Sequence, residues 1–369
     1  MSQIVCTQCG AEVRPEDVLY VDGEAVCPSC AETDTVVCSY CGERIWREDD
    51  FGDSDIPLCE SCYDSHYTHC SLCNRLIAFS AAYYQEDDED EETPYCSDCY
   101  HEYGEAIHCY SYKPVPIFHG DAPMYMGVEL EVDDGGKYSE NARKALDIFN
   151  RSGEYGYIKS DGSLNDGMEL VTHPCTLEAH IHEVPWKETL EKFKELGYCS
   201  HQSSTCGLHV HVNRTFFGDT PDQQEEKIGH VLYLFERFWQ ELLRFSRRTQ
   251  RQVNQWAARY GYKDTGREIM EHAKKSYQGR YTCVNLTNAD TIEFRIFRGT
   301  LKYNTLIATL QLVEKLCSVA ISLSEEQLQA LSWSDIMLGI DPAQYPELVQ
   351  YLKERRLYIN EPVSAEGEV

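Results

Sequence analysis

Three copies of a four-cysteine pattern open this chain, and their first cysteines, Cys6, Cys38 and Cys70, are spaced 32 residues apart. The first two copies read C-x2-C-x17-C-x2-C, and the third has 22 residues between its Cys-x2-Cys pairs. A two-residue spacer lets a tight turn direct both sulfurs of a pair at one metal, and four thiolates suit a closed tetrahedral Zn²⁺ site. The pattern predicts three structural Zn²⁺ ions, held by Cys6, Cys9, Cys27, Cys30, Cys38, Cys41, Cys59, Cys62, Cys70, Cys73, Cys96 and Cys99.

Zinc is favoured over a disulfide framework because the chain shows no secretion signal and its other six cysteines are scattered singly. A repeat of 32 residues is too short to bury a core, so we expect the metal to supply the folding energy. The six remaining thiols leave thiol catalysis open, but we expect most of them to be buried as small hydrophobic residues. They are Cys109, Cys175, Cys199, Cys206, Cys283 and Cys317.

The charge of residues 1–108 indicates which kind of macromolecule this part of the chain can bind. The spacing resembles LIM-like and zinc-ribbon-type units and also GATA-type fingers, which bind different macromolecules. Residues 1–108 hold 25 acidic and four basic residues, and such a surface repels phosphate backbones. We therefore expect a protein partner or protein substrate, or a purely structural role, and no nucleic acid. The acidic run 86–92 is either a solvated loop or a contact for a basic partner.

Composition and hydropathy divide the 369 residues further. Pro114 and Pro116 favour an extended linker, so we expect zinc-binding units at 1–108 and a linker at 109–120. A catalytic domain at 121–325 and C-terminal helices with a disordered tail at 326–369 should follow, the tail covering 363–369. No apolar run long enough for a membrane span is apparent, which favours a cytoplasmic location. The oligomeric state is not predicted.

Strands alternate with long helices after residue 121. Period-2 runs predict strands at 125–132, 168–172, 208–213, 281–286 and 291–297, and helical periodicity marks 141–149, 177–196, 225–257 and 305–323. Several strands alternate charged with apolar residues, so one face of the sheet is apolar and the other polar. We expect an α+β fold, in which an antiparallel sheet with helices on one face follows the small zinc-stabilised repeats.

Charged groups on the polar face carry the candidate chemistry. Residues two apart on a strand project from the same face. Any one such strand is ordinary half-exposed sheet, but four strands delivering such groups to one surface point to a site. Carboxylates with an imidazole suit Mg²⁺ or Mn²⁺, and a neighbouring arginine can hold a phosphoryl group, so we expect nucleotide-dependent chemistry. The residues are Glu129, Glu131, Glu169, His209, His211, Glu293 and Arg295.

The order of these motifs resembles the amidoligase family, carboxylate–amine ligases related to glutamine synthetase and glutamate–cysteine ligase. The motifs are GVELEV, SDGSL, GMELVTHP, CGLHVHV, GRYTCVNL and TIEFRIFRGTL, and they cover roughly residues 121–325. The resemblance implies a glutamine-synthetase-like fold and ATP-dependent amide or isopeptide bond formation, in which a carboxylate becomes an acyl phosphate that an amine attacks.

The resemblance also implies roles for single residues. The divalent metal would be bound by Glu129, Glu131, Glu169, one of the two histidines and Glu293, and we prefer His209 to His211. Arg295 would contact phosphate, Asp161 and Ser163 would face the substrate, and Arg280 and Asn285 would contact substrate or nucleotide. Arg295, Asp161 and Arg280 are the catalytic candidates. Glutamine synthetase has one more acidic ligand, and neither His173 nor Glu178 is a clear match for it.

Three other functions stay open. A metal-dependent amidohydrolase explains His209 and His211 but leaves the carboxylate pair and Arg295 without a role. A phosphotransferase like the guanidino kinases would use the same architecture without the amine step. A non-catalytic zinc-finger adaptor with a degenerate ligase domain is the third. An appended zinc array suggests that the carboxylate or the amine of a ligase sits on a protein.

Overall fold

The computed structural model describes residues 4–71, 73–84, 93–100, 106–275 and 279–358. The acidic run at 86–92 and the expected tail at 363–369 lie outside these residues. The chain forms two compact units, Met1–Glu105 and Ala106–Val369. We call the first the cysteine unit and the second the sheet unit.

The cysteine unit consists of short hairpins and helices. Its strands pair antiparallel as β1–β2, β3–β4, β5–β6 and β7–β8. The strands are β1 (Ile4–Val5), β2 (Glu12–Val13), β3 (Leu19–Val21), β4 (Glu24–Val26), β5 (Thr35–Val37), β6 (Arg44–Trp46), β7 (Tyr67–His69) and β8 (Leu76–Ala78). The helices are α1 (Pro28–Asp34), α2 (Glu60–His66) and α3 (Ser97–Cys99).

Each first cysteine pair ends in a left-handed turn. Gly10, Gly42 and Asn74 follow the pairs with φ of 73°, 79° and 58°. Glycine and asparagine adopt left-handed backbone angles at the lowest steric cost, so the residue types at these three positions favour the turn. The backbone N–H of Gly10 donates to the carbonyl of Cys6, which curls the pair around one point, and the other two copies repeat this bond.

The sheet unit is organised around a seven-stranded sheet with the order β14-β15-β13-β10-β12-β11-β9. All neighbours pair antiparallel except β11 and β9. The strands are β9 (Ile107–His108), β10 (Met126–Val132), β11 (Gly156–Lys159), β12 (Met168–Thr172), β13 (Gly207–Asn213), β14 (Val284–Asn285) and β15 (Thr291–Arg298).

The described residues of the sheet unit also form eleven α-helices. They are α4 (Ser139–Phe149), α5 (Leu177–His182), α6 (Trp186–Glu195), α7 (Pro221–Arg237), α8 (Trp239–Ser246), α9 (Gln250–Trp256), α10 (Gly266–Lys274), α11 (Tyr303–Ser322), α12 (Glu325–Ala330), α13 (Trp333–Leu338) and α14 (Pro346–Glu354).

One face of the sheet packs against the hydrophobic core. Val128, Leu130 and Val132 of β10 are fully buried and belong to one apolar cluster with residues of α7 and α11. The intervening Glu129 and Glu131 lie on the opposite face, as the period of two requires. This confirms the expected α+β fold, an antiparallel sheet with its helices against the apolar face and small cysteine-rich repeats before it.

The helix α11 has the length and hydropathy of a membrane span, which the sequence reading missed. Within that helix, 67% of the apolar window is buried inside the sheet unit. Its buried residues include Leu306, Leu310 and Val313, which join the same core as β10. This burial is that of a core helix.

Several sequence predictions of element limits were wrong. The helix at 177–196 is two helices, because Pro185 interrupts it and stands as the N-cap of α6. The helix at 225–257 is three helices, since the chain turns at Phe238 and again at Arg247, whose φ is 63°. The strand at 281–286 shortens to Val284–Asn285, and β9, β11 and α10 were not predicted.

Candidate active site

The cysteine unit holds its four-cysteine sets as compact clusters. The sulfurs of each set lie within 4.8 Å of one another. The Sγ atoms of Cys9 and Cys27 are 3.8 Å apart, and the equivalent pairs in the other two sets have the same separation. Four sulfurs about 2.3 Å from a central zinc lie about 3.8 Å apart in a tetrahedron. The three predicted clusters therefore fit three zinc ions.

The polar face of the sheet brings together the residues that the sequence singled out. Glu129 pairs with His209 on one side, and Glu131 pairs with Glu169 on the other. His211 lies opposite Glu293 across β13 and β15. Adjacent pairs on one face of a sheet lie within side-chain reach, so four strands supply one cluster.

The side chains make direct contacts. His209 Nδ1 lies 3.2 Å from Glu129 Oε2 and 3.7 Å from Glu293 Oε1, and its Nε2 lies 3.9 Å from Glu131 Oε1. His211 Nε2 lies 3.3 Å from the other oxygen of Glu129. His209 thus lies near three carboxylates, whereas His211 contacts one.

Burial and neighbouring charge divide the carboxylates into two kinds. Burial raises the pKa of Glu131, and burial together with the Glu129 charge raises the pKa of Glu169 well above its usual range. Burial acts in the same sense on Glu129 and Glu293, but the His211 and His209 imidazoles outweigh it and hold both pKa values low. Four carboxylates crowded in a dry site repel one another, and a bound cation would relieve that repulsion.

The donor set fits a hard divalent cation. The groups whose ligand atoms lie within 4.8 Å of one another include Glu129, Glu169 and His209, and Glu129, His211 and Glu293. Each of these two groups has two carboxylates and one imidazole, and oxygen-rich sets suit Mg²⁺ or Mn²⁺. Both groups include Glu129, which would be a shared ligand if each group held a cation.

Lys159 also belongs to this cluster, and the sequence reading missed it. Its Nζ lies 3.1 Å from Glu169 Oε2 and 4.0 Å from Glu129 Oε1. Burial opposes its charge, but Glu169 and Glu129 outweigh burial and raise its pKa. Lys159 ends β11, an unpredicted strand, and directly precedes the SDGSL motif. The register that pairs it with Glu169 follows only from the fold.

Three arginines flank the cluster at the Glu131 side. A bulge in the β13–β15 pairing puts Arg298 opposite Gly207, on the same face as His209. A Cβ at Gly207 would lie 2.7 Å from Arg248 Nη2, so the glycine leaves the space that Arg248 occupies. Burial, reinforced by the charges of Arg295 and Arg298, lowers the pKa of Arg248 to about 10, although Glu131 opposes the shift.

These guanidinium groups are only partly used by the protein. Arg248 donates from Nε and Nη2 to the Phe297 carbonyl, and Arg295 donates from Nη1 to Glu293. The Nε atoms of Arg295 and Arg298 are buried without a hydrogen-bond partner among the described residues. Buried cationic donors without partners mark a place for an anion. Arg295 was predicted; Arg248 and Arg298 were missed.

The remaining candidates lie at different distances from the cluster. Asp161 accepts from the backbone N–H of Ser163 at 2.7 Å, and its charge helps to raise the pKa of Glu131. Asn285 donates to Glu293 Oε2 at 2.7 Å, so it orients that carboxylate. Arg280 donates to the hydroxyl of Tyr110 in an exposed hydrogen bond, and neither residue lines the cleft described below.

The extra acidic ligand is not found at the two nearby positions. His173 accepts from the Ile117 N–H at 3.4 Å and packs on the Tyr157 ring. Glu178 lies on α5 with 83% of its side chain exposed and pairs with His182. The charges of Glu131 and Asp161 contribute to the raised pKa of Glu169, so these two carboxylates lie nearer to the cluster than His173 or Glu178 does.

A cleft of about 920 Å³ leads from the cluster to the surface. Glu129, Lys159 and His211 form its inner end. Its walls come from 113–125, the end of β12, the start of α7 and the turn at 288–291. The size is within the range of ligand-binding sites, and the polar groups converge at one end.

The family comparison agrees with this geometry. Residues 129–317, more than half of the chain, match the family described as "putative amidoligase enzyme". No curated protein matches the chain. The matched range begins at the first carboxylate of the cluster and includes the strands that supply the others. The chain therefore belongs to the amidoligase family, with a ligase-type domain in its sheet unit and three cysteine clusters that fit zinc before it.

Proposed function

We propose that the sheet unit joins a carboxylate to an amine with the hydrolysis of ATP, through an acyl phosphate. One observation carries this proposal: a carboxylate–imidazole cluster that fits divalent cations lies beside two arginines, Arg295 and Arg298, whose buried Nε atoms have no hydrogen-bond partner among the described residues. Cation sites beside guanidinium donors are the parts that a polyphosphate needs. A hydrolytic site requires only the cations.

The metal-binding roles divide between the two ligand groups. Glu129, Glu169 and His209 would hold one Mg²⁺, and Glu129, His211 and Glu293 would hold the other. When bound, such ions neutralise the charge that develops on transferring phosphoryl oxygens. Asn285 keeps Glu293 oriented, and Glu131 accepts a hydrogen bond from the Gly207 N–H, which fixes the neighbouring β13 end.

The arginines would receive the phosphate chain of ATP. The planar guanidinium of Arg295 can bind two oxygens at once, and its Nε is the unused donor. Arg248 and Arg298 add positive charge in a site of low dielectric, where each hydrogen bond to an anion is strengthened. This arrangement supports ATP as the co-substrate.

The reaction then follows in two balanced steps. A carboxylate oxygen attacks the γ-phosphorus of ATP, and ADP leaves, which gives the acyl phosphate. The amine nitrogen attacks the acyl carbon, inorganic phosphate leaves and the amine loses one proton. Asp161, whose second oxygen is not used by Ser163, is proposed to accept that proton. Arg280 is proposed to contact substrate or nucleotide.

The alternatives explain fewer contacts. An amidohydrolase would use a zinc site of imidazoles, but each ligand group here has one histidine and two carboxylates. A guanidino phosphotransferase acts on no carboxylate substrate, so it would not explain a cleft that is open beside the cluster. A degenerate adaptor would have no reason to keep buried carboxylates with raised pKa beside buried arginines.

Trapping the intermediate tests the proposal. The protein would be incubated with ATP, Mg²⁺, a panel of carboxylates and hydroxylamine, and hydroxamate and ADP would be measured. ATP-dependent hydroxamate with matching ADP supports the ligase. Amide hydrolysis with zinc and no nucleotide would support the amidohydrolase instead, and ADP without hydroxamate would point to phosphotransfer.

The zinc units are proposed to recruit a protein partner, in the cytoplasm. Their excess of acidic residues favours a basic protein and disfavours nucleic acid. Capture of a basic protein by the intact chain, with loss of capture after zinc chelation under reducing conditions, would support this role. Salt-sensitive binding to duplex DNA or RNA would contradict it.

A further inference from the structure

The cleft has a wall that differs in character from its inner end. Proline and aromatic side chains supply much of its lining, among them Pro114, Pro116, Phe118, Tyr125 and Pro174. Charge is concentrated at the inner end, where Glu129 and Lys159 lie. A ligand in the cleft therefore meets rings and apolar carbons first and the reacting groups last.

Most polar groups of the wall are already hydrogen-bonded within the protein. Asn213 accepts from the Tyr125 N–H at 2.8 Å and donates to the Pro123 carbonyl at 3.1 Å. Arg214 donates to the carbonyls of Leu286 and Asn288 at 2.8 and 3.1 Å. Such groups offer little to a small, highly polar substrate, which needs dedicated partners for each charge.

The segment 114–118 brings an exposed apolar side chain to the cleft. Phe118 lines the cleft and is 58% exposed, whereas Val115 and Ile117, 84% and 38% exposed, alternate with the lining residues and are not part of the lining. The prolines at 114 and 116 hold this segment extended. Adjacent exposed apolar residues at the mouth of a polar site are typical of a surface that binds a polypeptide.

The charge at the mouth selects among polypeptides. Lys113 lines the cleft, is exposed and forms no ion pair with the residues that the structure describes. Lys159 stands at the inner end. Lys159 is paired with Glu169 and Glu129, but along the wall Lys113 and Arg214 outnumber Asp290, in a chain whose net charge is −29. The mouth of the cleft is thus locally cationic on an acidic protein, and it complements a negative chain.

We propose that this cleft binds an extended acidic polypeptide and brings one of its carboxylates to Lys159 as the acyl donor. The inference rests on the proposed ligase function and names its substrate class. The acyl donor would enter along residues 113–125, and ATP would approach from the arginine side of the cluster. The two substrates would then meet at Glu129, the residue shared by both cation groups.

Binding and catalysis are tested separately. Fluorescein-labelled decaglutamate is the probe, and anisotropy with the intact chain, Mg²⁺ and ADP gives its Kd. Hydroxamate formation with ATP compares decaglutamate against N-acetylglutamate amide, each scaled per carboxylate. We expect decaglutamate to bind and to react with a KM at least tenfold below that of the small carboxylate.

Variants at the mouth locate the binding. Phe118→Ser and Lys113→Glu should each weaken decaglutamate binding at least fivefold, and should raise the KM for decaglutamate by a larger factor than the KM for N-acetylglutamate amide. The matched controls are Leu338→Ser and Lys263→Glu, an exposed leucine and an exposed lysine outside the cleft. They should have no effect on either substrate.

The outcomes distinguish this inference from the function on which it rests. Equal KM values for the two carboxylates, or decaglutamate binding that ignores both mouth variants, would overturn the cleft as a polypeptide site while the ligase stands. Decaglutamate that binds through the cleft but gives no hydroxamate, when no other carboxylate does either, would support the site and overturn the ligase.

Discussion

The cysteine unit and the sheet unit place their metal ligands in opposite relations to their cores. In the third cysteine repeat the buried apolar cluster consists of Cys70, Ile77, Cys96 and Cys99, so ligands and core are nearly the same residues. In the sheet unit the core contains fully buried side chains such as Phe294, while the candidate ligands occupy the opposite face.

This difference separates structural metal binding in the cysteine unit from the catalytic metal binding that we propose for the sheet unit. A repeat whose core consists mainly of its ligands buries too little other apolar surface to stay folded alone, so it should unfold when the metal is lost. A sheet with its own large core keeps its fold without the cations, so losing them should remove activity alone. The predictions that follow test this contrast, beginning with the largest expected effect.

Zinc removal is expected to unfold the cysteine unit and leave the sheet unit folded. Structural zinc contributes about 10–16 kcal/mol per site in small domains. Chelation under reducing conditions, followed by calorimetry, should remove one transition and retain the other, and elemental analysis should find about three zinc ions per chain. Cys38→Ser should lose one zinc, whereas Cys199→Ser, outside the clusters, should lose none. Finding one zinc or none in the intact chain would contradict the three-site assignment.

Truncating a candidate ligand of the sheet unit should do the reverse. Glu129→Ala, Glu169→Ala and Glu293→Ala should each reduce ATP turnover by more than about 10³-fold, because each removes a proposed ligand of a cation whose charge neutralisation at the phosphate supplies several kcal/mol of the barrier reduction. The melting temperature of the sheet unit should change little. Glu178→Ala, an exposed carboxylate outside the cluster, is the control and should keep full activity. Undiminished ATP hydrolysis in all three variants would sink the metal assignment.

The same contrast explains what could be read from the sequence. The twelve cysteines of the three clusters are close in sequence and repeat, so spacing alone predicted which of them come together. The strand pattern likewise placed Glu129, Glu131 and His209 on one face, because alternation is a local property. Both the cysteine spacing and the strand alternation can be recognised in the sequence without knowledge of the tertiary fold.

The residues that were missed depend on tertiary contacts. Lys159 becomes part of the cluster only through the register of β11 against β12. Arg248 reaches Gly207 from the connection between α8 and α9, where the chain was predicted to be continuous helix. A local signal for that break existed, since Thr249 and Gln252 form a capping box. Nothing local indicated where Arg248 would point.

Replacing Arg295 by lysine tests the arginine side of the cluster. Lysine keeps the charge but loses the planar pair of donors, so kcat should fall by about 10²–10³-fold, roughly 3–4 kcal/mol, while ATP still binds. Hydroxamate formation would be measured at saturating ATP. Arg267→Lys, whose side chain is 85% exposed, is the matched control. A hydrolase that needs no nucleotide would be indifferent to Arg295→Lys.

The smallest predicted effect concerns the apolar side of the sheet, where a histidine is held neutral. His180 is fully buried, its Nε2 lies 3.1 Å from the Met126 carbonyl, and its Nδ1 accepts from Trp186 Nε1 at 3.3 Å. Both nitrogens are thus used by the neutral ring, with the proton on Nε2. Burial lowers the pKa of His180 to about 4. A second proton would have to enter Nδ1 and displace the Trp186 donor.

The lowered pKa of His180 gives a pH dependence with a definite sign. Above pH 6.5 the ring is neutral in both the folded and the unfolded chain, so its contribution to stability is complete. As the pH falls from 6.5 towards 4, only the unfolded state takes up the proton, and stability is lost. At pH 5.5 the loss should be roughly 1.4 kcal/mol, since one pKa unit corresponds to about 1.36 kcal/mol.

In urea unfolding of the sheet unit, His180→Leu should lose less stability than the wild type between pH 7 and pH 5.5. His182→Leu, an exposed histidine on the same helix, should behave like the wild type. Acid release of zinc affects all three proteins alike and cancels in the difference. An equal loss in His180→Leu and wild type would mean that His180 is not held neutral by the core.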